Sequence, residues 1–497
     1  MKYLLGIDIG TSGTKTMLFD ECGNGIASAT VEYPLLQPQN GWAEQDPADW
    51  WNAVTETIAA VVKKSGIAKE DIVSIGLSGQ MHGLVLLDED CNVLRNAILW
   101  CDGRTTAQCK EIEARLGGRD KLIEITANPA LEGFTAGKIL WVQQNEPEIW
   151  AKAKHILLPK DYIRYKLAGT FATDASDASG MQLLHIANRD WSKEVCDALD
   201  IDMTMLPRVY ESPDVTGTLL PDVAEKVGLC AGIPVAGGGG DNACAAIGTG
   251  VCKEGKAFTT IGTSGVVFAH TKDLHIDKEG RIHTFCCAVP GAWHVMGCTL
   301  AAGLSLNWFR GQLASEYSYP ELDDACAALP IGADDLIYLP YLMGERSPIL
   351  DARSRGVFFG LSAIHTKTHM ARAVMEGVAY SLYDCLEVLR ENDIECSDMA
   401  FCGGGAKSAF WRKMFTDVYG VPVKLMQSSE GAVLGAAILG GCAAGVYASV
   451  EEGCEKAVRD GDSFRPDEAA HESYMHYYGI YRTLYPALKD SFALLHP

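Results

Sequence analysis

The chain has 497 residues, of which 48% are hydrophobic and 21% are charged, values that are ordinary for a globular protein with large cores. Its formal net charge of −22 and its lack of a long Lys/Arg cluster argue against nucleic acid or an anionic membrane as a partner. The 17 cysteines, without a CxxC pair, indicate neither a disulfide framework nor a zinc ribbon, and they favour a reducing cytoplasm.

The chain begins with a strand that leads into a turn of glycine and hydroxyl residues. One carboxylate, Asp8, precedes Ile9-Gly10-Thr11-Ser12-Gly13, and a second strand leaves through Lys15. Glycine amides and hydroxyls can bind a phosphate, and a carboxylate can bind a hard cation. The five residues return unchanged at 261–265, where Thr260 stands in place of the carboxylate. The repeat predicts two similar halves, each with one phosphate loop facing a shared cleft.

The remaining elements of the first half mix antiparallel strands with helix–strand alternation. Asp46-Pro47 marks the start of a helix predicted at 48–64. Strands are predicted at 26–33, 72–77, 84–87, 97–100 and 234–236, a strand leading into a helix at 156–162, a helical region at 105–145, and a polar loop with two carboxylates at 173–180. This order predicts an α/β sheet of mixed direction.

The second half repeats this plan. Strands are predicted at 257–261, 266–270 and 399–402, an extended stretch at 294–296, and helices at 300–311 and 368–391. The segment 431–450 carries no charge and is long enough to span a bilayer. Its many glycines and alanines instead favour a helix packed tightly inside a domain.

Two glycine-rich turns follow predicted strands. Residues 237–240 are four glycines that lead to Asp241, which can cap the next helix or take a proton from a hydroxyl that attacks phosphorus. Four glycines in succession also remove side-chain cover where a substrate must come close. The turn at 403–406 is either a plain strand–helix turn or a flat slot for a nucleobase and ribose.

A third group of polar residues suits a polyol. Gln80-Met81-His82 combines hydrogen-bond donors and acceptors in one loop, and Asp102 with Arg104 adds charged hydrogen-bonding groups. A lone histidine is more often structural, so this group is a weaker signal than the repeated turn.

Taken together, these residues resemble the FGGY family of carbohydrate kinases over essentially the whole chain. Two stretches match patterns characteristic of that family: Gly133-Phe134-Thr135 through Lys138, Trp141 and Asn145, and Gly356-Val357-Phe358-Phe359-Gly360-Leu361 through His369, Ala373 and Glu376. Five further motifs, at 43–47, 79–83, 99–104, 158–162 and 344–348, are similar to those of family members that phosphorylate D-xylulose.

The resemblance implies an α/β fold of two actin-like, ribonuclease-H-like lobes, with mixed sheets flanked by helices and the active site in the interlobe cleft. The lobes would span residues 1–249 and 250–497. The implied activity is ATP-dependent phosphorylation of D-xylulose to D-xylulose 5-phosphate with Mg²⁺. The expected partners are the ketose and ATP, and a homodimer is one expected assembly.

The resemblance also assigns roles to individual residues. Asp241 would deprotonate the terminal hydroxyl of the sugar, and Asp8 would position Mg²⁺. The phosphates would be bound by Thr11, Ser12 and Lys15 on one lobe and by Gly262, Thr263 and Ser264 on the other, the adenosine by Gly404, Gly405 and Ala406, and the ketose by Met81, His82, Asp102, Arg104, Asp241 and Asn242.

Two alternatives stay open at this point. A kinase for ribulose, another pentulose, a polyol or a sugar acid would differ around Gln80-Met81-His82. An actin-like or chaperone-like ATPase shares the nucleotide lobes but would need a filament surface or a peptide-binding domain.

Overall fold

A computed structural model describes residues 1–428 and 430–495, which form two α/β lobes, each built on a seven-stranded mixed sheet. The strands of the first half are β1 (Tyr3–Ile9), β2 (Gly13–Asp20), β3 (Gly25–Glu32), β4 (Glu44–Gln45), β5 (Ile72–Gly79), β6 (Val85–Leu87), β7 (Ala97–Ile98), β8 (His155–Leu157), β9 (Ala172–Asp174), β10 (Leu184–His185), β11 (Asp190–Trp191), β12 (Arg208–Tyr210), β13 (Val215–Thr218), β14 (Pro234–Ala236) and β15 (Gly239–Gly240). Its helices are α1 (Pro47–Ser65), α2 (Thr106–Arg115), α3 (Arg119–Thr126), α4 (Thr135–Asn145), α5 (Pro147–Trp150), α6 (Pro159–Ala168), α7 (Ala175–Ala178), α8 (Lys193–Ala198), α9 (Pro221–Val227) and α10 (Asp241–Gly248).

The second half adds nine strands and seven helices within the described residues. The strands are β16 (Gly255–Ile261), β17 (Gly265–Thr271), β18 (His283–Cys286), β19 (Trp293–Thr299), β20 (Ile337–Leu339), β21 (Val357–Phe359), β22 (Cys396–Cys402), β23 (Val423–Met426) and β24 (Asp460–Phe464). The helices are α11 (Gly303–Leu313), α12 (Tyr319–Ala327), α13 (Lys367–Glu391), α14 (Ala409–Tyr419), α15 (Gly431–Ala443), α16 (Val450–Ala457) and α17 (Glu468–Leu495).

The two large sheets repeat one arrangement around the repeated turn. In the first sheet, β1 pairs antiparallel with β2 and parallel with β5, in the order β13-β14-β5-β1-β2-β3, and the seventh strand, β15, also pairs with β5. In the second sheet, β16 pairs antiparallel with β17 and parallel with β22, in the order β18-β19-β17-β16-β22-β23-β24. Each copy of the repeated turn therefore joins the same two strands of its sheet. The predicted two-lobed α/β fold is confirmed.

Local capping chemistry fixes the first helix where the sequence predicts it. Asp46 caps α1 by accepting a hydrogen bond from the amide of Ala48 at 2.9 Å, and Pro47 occupies the first turn. The predicted helical region 105–145 consists instead of three separate helices, α2, α3 and α4.

The prediction of a polar loop at 173–180 is wrong. This segment forms β9, α7 and a 3₁₀ turn, and the side chains of Asp174 and Asp177 are fully buried. The ammonium group of Lys160, also fully buried, lies 2.9 Å from the carboxylate of Asp174 and 3.6 Å from that of Asp177. The sequence of this segment does not show that its two carboxylates are neutralised, because Lys160, the cation that permits their burial, lies outside it.

The small-residue helix α15 packs on the sheet of the first lobe, although it belongs to the second half of the chain. A Cβ atom added at Gly6 would lie 2.1 Å from the Val433 carbonyl oxygen, and one at Gly76 would lie 1.7 Å from that of Ala436. On its other side, α15 packs against α10. The prediction of a tightly packed internal helix is confirmed, and no helix among residues 1–428 and 430–495 is both long and apolar enough to cross a membrane.

Candidate active site

The register of the first sheet brings three loops together. Asp8 near the end of β1 lies opposite Ser78 of β5, and Gly240 of β15 lies opposite Gly79, also of β5. All three strands run parallel, so the residues that follow them meet at one edge of the sheet. This arrangement places Asp8, the loop containing Met81 and His82, and Asp241 around one site.

Asp8 is held by one short hydrogen bond at this edge. The hydroxyl of Ser78 donates to its carboxylate at 2.7 Å. Burial raises the pKa of Asp8, and Glu430 adds to the increase, while Ser78 and Lys15 oppose it. Lys15 forms an ion pair with Glu430 at 2.5 Å, which links β2 to the residue before α15.

Asp241 is the first residue of α10, and Gly240 occupies the N-cap position. The prediction that Asp241 caps this helix is therefore wrong. Its Oδ1 atom instead accepts hydrogen bonds from the amide of Asn242 at 2.7 Å and from the side chain of Asn242 at 3.0 Å. Burial, with a further contribution from Asp8, raises the pKa of Asp241 to about 7, a value suited to a general base near neutral pH.

The four glycines before Asp241 are required by neighbouring protein atoms. Gly238 has a φ of +67°, and a Cβ atom there would lie 2.1 Å from the carbonyl oxygen of Leu77. A Cβ atom at Gly240 would lie 2.7 Å from the side chain of Met81. The interpretation that these glycines admit a substrate is therefore corrected, because they admit close packing of β15 and its loop against β5 and Met81.

A cavity of about 290 Å³ opens beside Asp241 and is walled by both lobes. It brings together four of the predicted ketose ligands, Met81, His82, Asp241 and Asn242, with two predicted phosphate ligands, Gly262 and Ser264. The remaining lining residues are Trp100, Leu131, Gly133, Phe134, Thr260, Val266, His283, Phe285, Met296, Cys298 and Arg346.

His82 presents a hydrogen-bond acceptor to this cavity. Its Nδ1 atom lies 2.7 Å from the carbonyl oxygen of Gly180, which can only accept, so Nδ1 carries the proton. Burial holds the pKa of His82 well below its usual value, with Lys138 acting in the same direction, so the ring is neutral and Nε2 is an acceptor. Lys138 donates to the backbone carbonyl of His82 at 2.8 Å and also to that of Gly133, which fixes two walls of the cavity.

Asp102 and Arg104 are not brought to the cavity. Their side chains, at most 1% exposed, form an ion pair at 2.7 Å, and Arg104 also lies 2.7 Å from Glu44. Asp102 accepts a hydrogen bond from the amide of Ala43 at 2.6 Å, and the Arg104 guanidinium lies 3.7 Å from the ring centre of Trp42. Both side chains bind internal partners that hold the loop before β4, and their predicted role in sugar contact stays a prediction.

The first repeated turn is held rigidly beside the cavity. The indole of Trp100 donates to the Thr11 hydroxyl at 2.9 Å, and Gln45 donates to the Thr11 carbonyl oxygen at 2.7 Å. Ser12 is exposed at the tip of the turn. Thr11 therefore shapes the turn, whereas Ser12 is the hydroxyl that solvent and ligand can reach.

The second repeated turn lies on the N-terminus of α11. The carbonyl oxygen of Thr263 accepts hydrogen bonds from the amides of Ala302 at 3.0 Å and Leu304 at 3.1 Å, and the Thr263 side chain is exposed. A Cβ atom at Gly303 would lie 2.3 Å from the carbonyl oxygen of Gly262, so only glycine permits this approach.

A second cavity of about 460 Å³ lies on the other side of this turn. Because Thr260 lies opposite Cys402 in parallel strands, the turn at Gly404–Lys407 meets the repeated turn at one sheet edge. The lining residues are Ile261, Gly262, Gly303, Leu306, Asn307, Tyr319, Pro320, Asp323, Gly404, Gly405, Lys407, Ser408 and Trp411. Gly404 and Gly405, which are predicted to bind adenosine, line this cavity, whereas Ala406 packs against the core of the second lobe.

Gly262 borders both cavities, so the second repeated turn lies between the larger cavity and the one that contains Asp241. His283 and Arg346 also line the smaller cavity, although no sequence motif assigns either of them a role. Arg346 lies in the quoted motif at 344–348, so a signal existed for it. His283 lies in β18, a strand that was not predicted.

The donor set at Asp8 fits Mg²⁺ in part. No group of three or more His, Cys, Asp or Glu side chains that could hold a metal ion occurs among residues 1–428 and 430–495. Magnesium, however, is often held by one or two carboxylates together with substrate phosphates. Asp8 and Asp241 are both partly buried, and Asp8 raises the pKa of Asp241, so a cation would offset negative charge here.

Comparison with known proteins decides the family. A sequence model described as the FGGY family of carbohydrate kinases, N-terminal domain, matches residues 3–248, and that of the C-terminal domain matches residues 257–444. The chain belongs to the FGGY family of carbohydrate kinases. The boundary between the two models falls near the predicted division at residues 249 and 250, which itself stays a prediction.

Relatives of this FGGY kinase include a xylulose kinase from Bacillus subtilis (strain 168). It is 42% identical over 490 residues, which is 99% of this chain and 98% of the relative. Among solved structures, a ligand-bound xylulose kinase from Lactobacillus acidophilus has a TM-score of 0.95 at 29% identity and covers 100% of both chains. A gluconate kinase from the same organism also has a TM-score of 0.95 at 29% identity, with 99% of each chain covered.

Proposed function

We propose that this FGGY kinase transfers the γ-phosphoryl group of ATP to the terminal hydroxyl of D-xylulose, giving D-xylulose 5-phosphate and ADP. The observation that carries the proposal is the position of Asp241, whose partly buried carboxylate lines a cavity of sugar size next to a glycine turn shared with a larger cavity. The near-full-length similarity to xylulose kinases supports the choice of ketose.

In the proposed reaction, Asp241 takes the proton from the hydroxyl as its oxygen attacks the γ-phosphorus. Oδ1 is engaged with Asn242, so the carboxylate orientation is fixed before the sugar arrives. The two repeated turns would bind the phosphates, with amides and hydroxyls contributed by Ser12, Gly262 and Ser264. Phosphoryl transfer depends mainly on positioning and on stabilisation of charge, which these groups supply from both lobes.

Asp8 would position Mg²⁺, which supplies positive charge to the phosphates when it is bound. Lys15 would add a cation to the same region once a nucleotide competes with Glu430 for it. Arg346 lines the sugar cavity and forms no ion pair with any carboxylate of the described residues. Its guanidinium would stabilise the charge of the transferred group from the second lobe.

The nearest competing function is phosphorylation of a sugar acid. Arg346 would pair with a carboxylate in the cavity, and one similar solved structure is a gluconate kinase. The neutral rings of His82 and His283 favour an uncharged polyol, because neither supplies a positive charge.

A sugar panel separates these functions. ADP release would be measured with ATP, Mg²⁺ and one of D-xylulose, D-ribulose, glycerol or gluconate, at several concentrations of each. We expect kcat/KM to be highest for D-xylulose, with little ADP release when sugar is omitted. A higher kcat/KM for gluconate would favour the sugar-acid function, and ADP release indifferent to every sugar would contradict a sugar kinase.

We also infer a cytoplasmic location and a homodimer. All 17 cysteines are free thiols, which suits a reducing compartment. Met343, Phe359, Leu361 and Ile364 are each at least 47% exposed within a short segment, and such apolar exposure suits self-association. Sedimentation equilibrium of the full chain would measure the dimer directly, and a monomer mass at micromolar concentration would contradict it.

A further inference from the structure

A second histidine lines the sugar cavity from the other lobe. His283, the first residue of β18, is 1% exposed, and its Nδ1 atom lies 3.0 Å from the side-chain oxygen of Asn128. Its Nε2 atom is buried and has no hydrogen-bond partner among the described residues. A buried polar atom without a partner on the wall of a cavity indicates a group that a ligand would satisfy.

The hydrogen bonds of Asn128 determine which nitrogen of His283 carries the proton. The Asn128 amide nitrogen donates to the carbonyl oxygens of Thr126 at 3.1 Å and Thr284 at 2.9 Å. Carbonyl oxygens only accept, so the Asn128 orientation is fixed and its side-chain oxygen faces His283. Nδ1 of His283 therefore donates, and Nε2 has no proton.

The ring stays neutral across the physiological range. Burial lowers the pKa of His283 to about 3, and Arg346 acts in the same direction. Nδ1 is bound to Asn128, so Nε2 lies on the other side of the ring, and His283 is one of the residues that line the cavity. Phe134 and Phe285, which also line the cavity, pack around the ring with centroid distances of 5.8 Å and 5.9 Å.

We propose that Nε2 of His283 accepts a hydrogen bond from a sugar hydroxyl other than the one that is phosphorylated, which makes His283 a specificity-determining residue of the second lobe. The proposal rests on the proposed function, since it takes a polyhydroxy substrate as the occupant of this cavity. His82 presents an unprotonated Nε2 from the first lobe in the same way. The cavity thus carries one neutral imidazole acceptor from each lobe, and a substrate that donates to both must have two suitably spaced hydroxyls.

The test removes the acceptor and keeps a ring in its place, with His283→Phe. The matched control is His294→Phe. His294 lies on the neighbouring strand β19 and is also fully buried. Neither of its ring nitrogens has a hydrogen-bond partner within residues 1–428 and 430–495, and His294 is not among the residues that line the cavity. Steady-state kinetics would be measured with D-xylulose and with analogues that each lack one hydroxyl, and calorimetric unfolding would report the stability of each variant.

We expect His283→Phe to raise KM for D-xylulose by about tenfold, the scale of one lost hydrogen bond to a buried group, while kcat and KM for ATP change less than about twofold. With the native chain, kcat/KM for one deoxy analogue should be about tenfold lower than for D-xylulose. With His283→Phe, kcat/KM for that analogue and for D-xylulose should be nearly equal. His294→Phe should leave every kinetic constant near its native value.

An unchanged KM in His283→Phe, or equal sensitivity of both chains to every deoxygenation, would overturn the proposal. If His283→Phe does not fold, His283→Gln would be used, since its amide oxygen can accept a hydrogen bond and should preserve part of the discrimination. If the sugar panel selects another substrate, the proposed function fails, and the same comparison with deoxy analogues of that substrate still tests His283.

Discussion

Replacing Gly435 with alanine tests the close packing of α15 against α10. An added Cβ atom would lie 1.9 Å from the carbonyl oxygen of Cys244 and 2.7 Å from its carbonyl carbon. Side-chain carbons do not approach a backbone oxygen so closely, so α10 and α15 must move apart by about an ångström. Overpacking of this kind costs about 1–3 kcal/mol or more, and the better helix propensity of alanine offsets only about 0.5–1 kcal/mol.

The matched control is Gly479→Ala in α17, where nothing lies within 4 Å of the added Cβ atom. We expect Gly435→Ala to lower Tm by about 1–4 °C and Gly479→Ala to leave Tm unchanged or raise it by about 1 °C. Because α10 begins with Asp241, Gly435→Ala should also lower kcat. Calorimetry and ADP release would measure both effects. A Gly435→Ala chain with native Tm and kcat would refute this account of the packing.

Two further predictions concern buried carboxylates. Asp8→Ala should reduce kcat/KM for ATP far more than Thr260→Val, because only the first repeated turn has a carboxylate before it. A Mg²⁺ titration of ADP release would compare the two variants. Equal losses would contradict a magnesium site at Asp8. Burial raises the pKa of Glu345 to about 8 from an ordinary value of 4.5, so the folded chain binds an extra proton between these values. Glu345 should therefore make stability fall as pH rises through that window, by up to about 1.4 kcal/mol per pH unit, and Glu345→Gln should make the slope measured in denaturant titrations shallower by up to that amount. An unchanged slope would contradict the prediction.

The sequence predicted the features that depend on local chemistry. The verbatim repeat at 9–13 and 261–265 marks the same hairpin in both sheets, and Asp46 caps α1 as its position before a proline indicates. Met81, His82, Asp241 and the glycine turns follow strands that end at one sheet edge, so their convergence follows from the parallel register.

The remaining features depend on partners that are distant in sequence. Asp102 has the charge expected of a sugar ligand, but Arg104, Glu44 and a backbone amide use its oxygens before a substrate arrives. His283 joins the cavity because the edge strand β18 lies against residues of the first half, including Asn128, and no local pattern predicts that contact. The run of four glycines at 237–240 marks a special position in the sequence, but the structure shows that it is needed for close packing against neighbouring protein atoms and not for substrate access.

The most direct test of the central claim is the turnover of Asp241→Asn with D-xylulose. Asparagine keeps an oxygen that can accept the hydrogen bond from the Asn242 amide, so the local geometry should persist while the proton acceptor is lost. We expect kcat to fall by about 10²–10⁴, the usual contribution of a general base, with ATP binding within about twofold of the native value. Single-turnover phosphoryl transfer, with ATP affinity from calorimetric titration, would measure both quantities. A variant that folds, binds ATP and still phosphorylates D-xylulose at a near-native rate would contradict the role of Asp241.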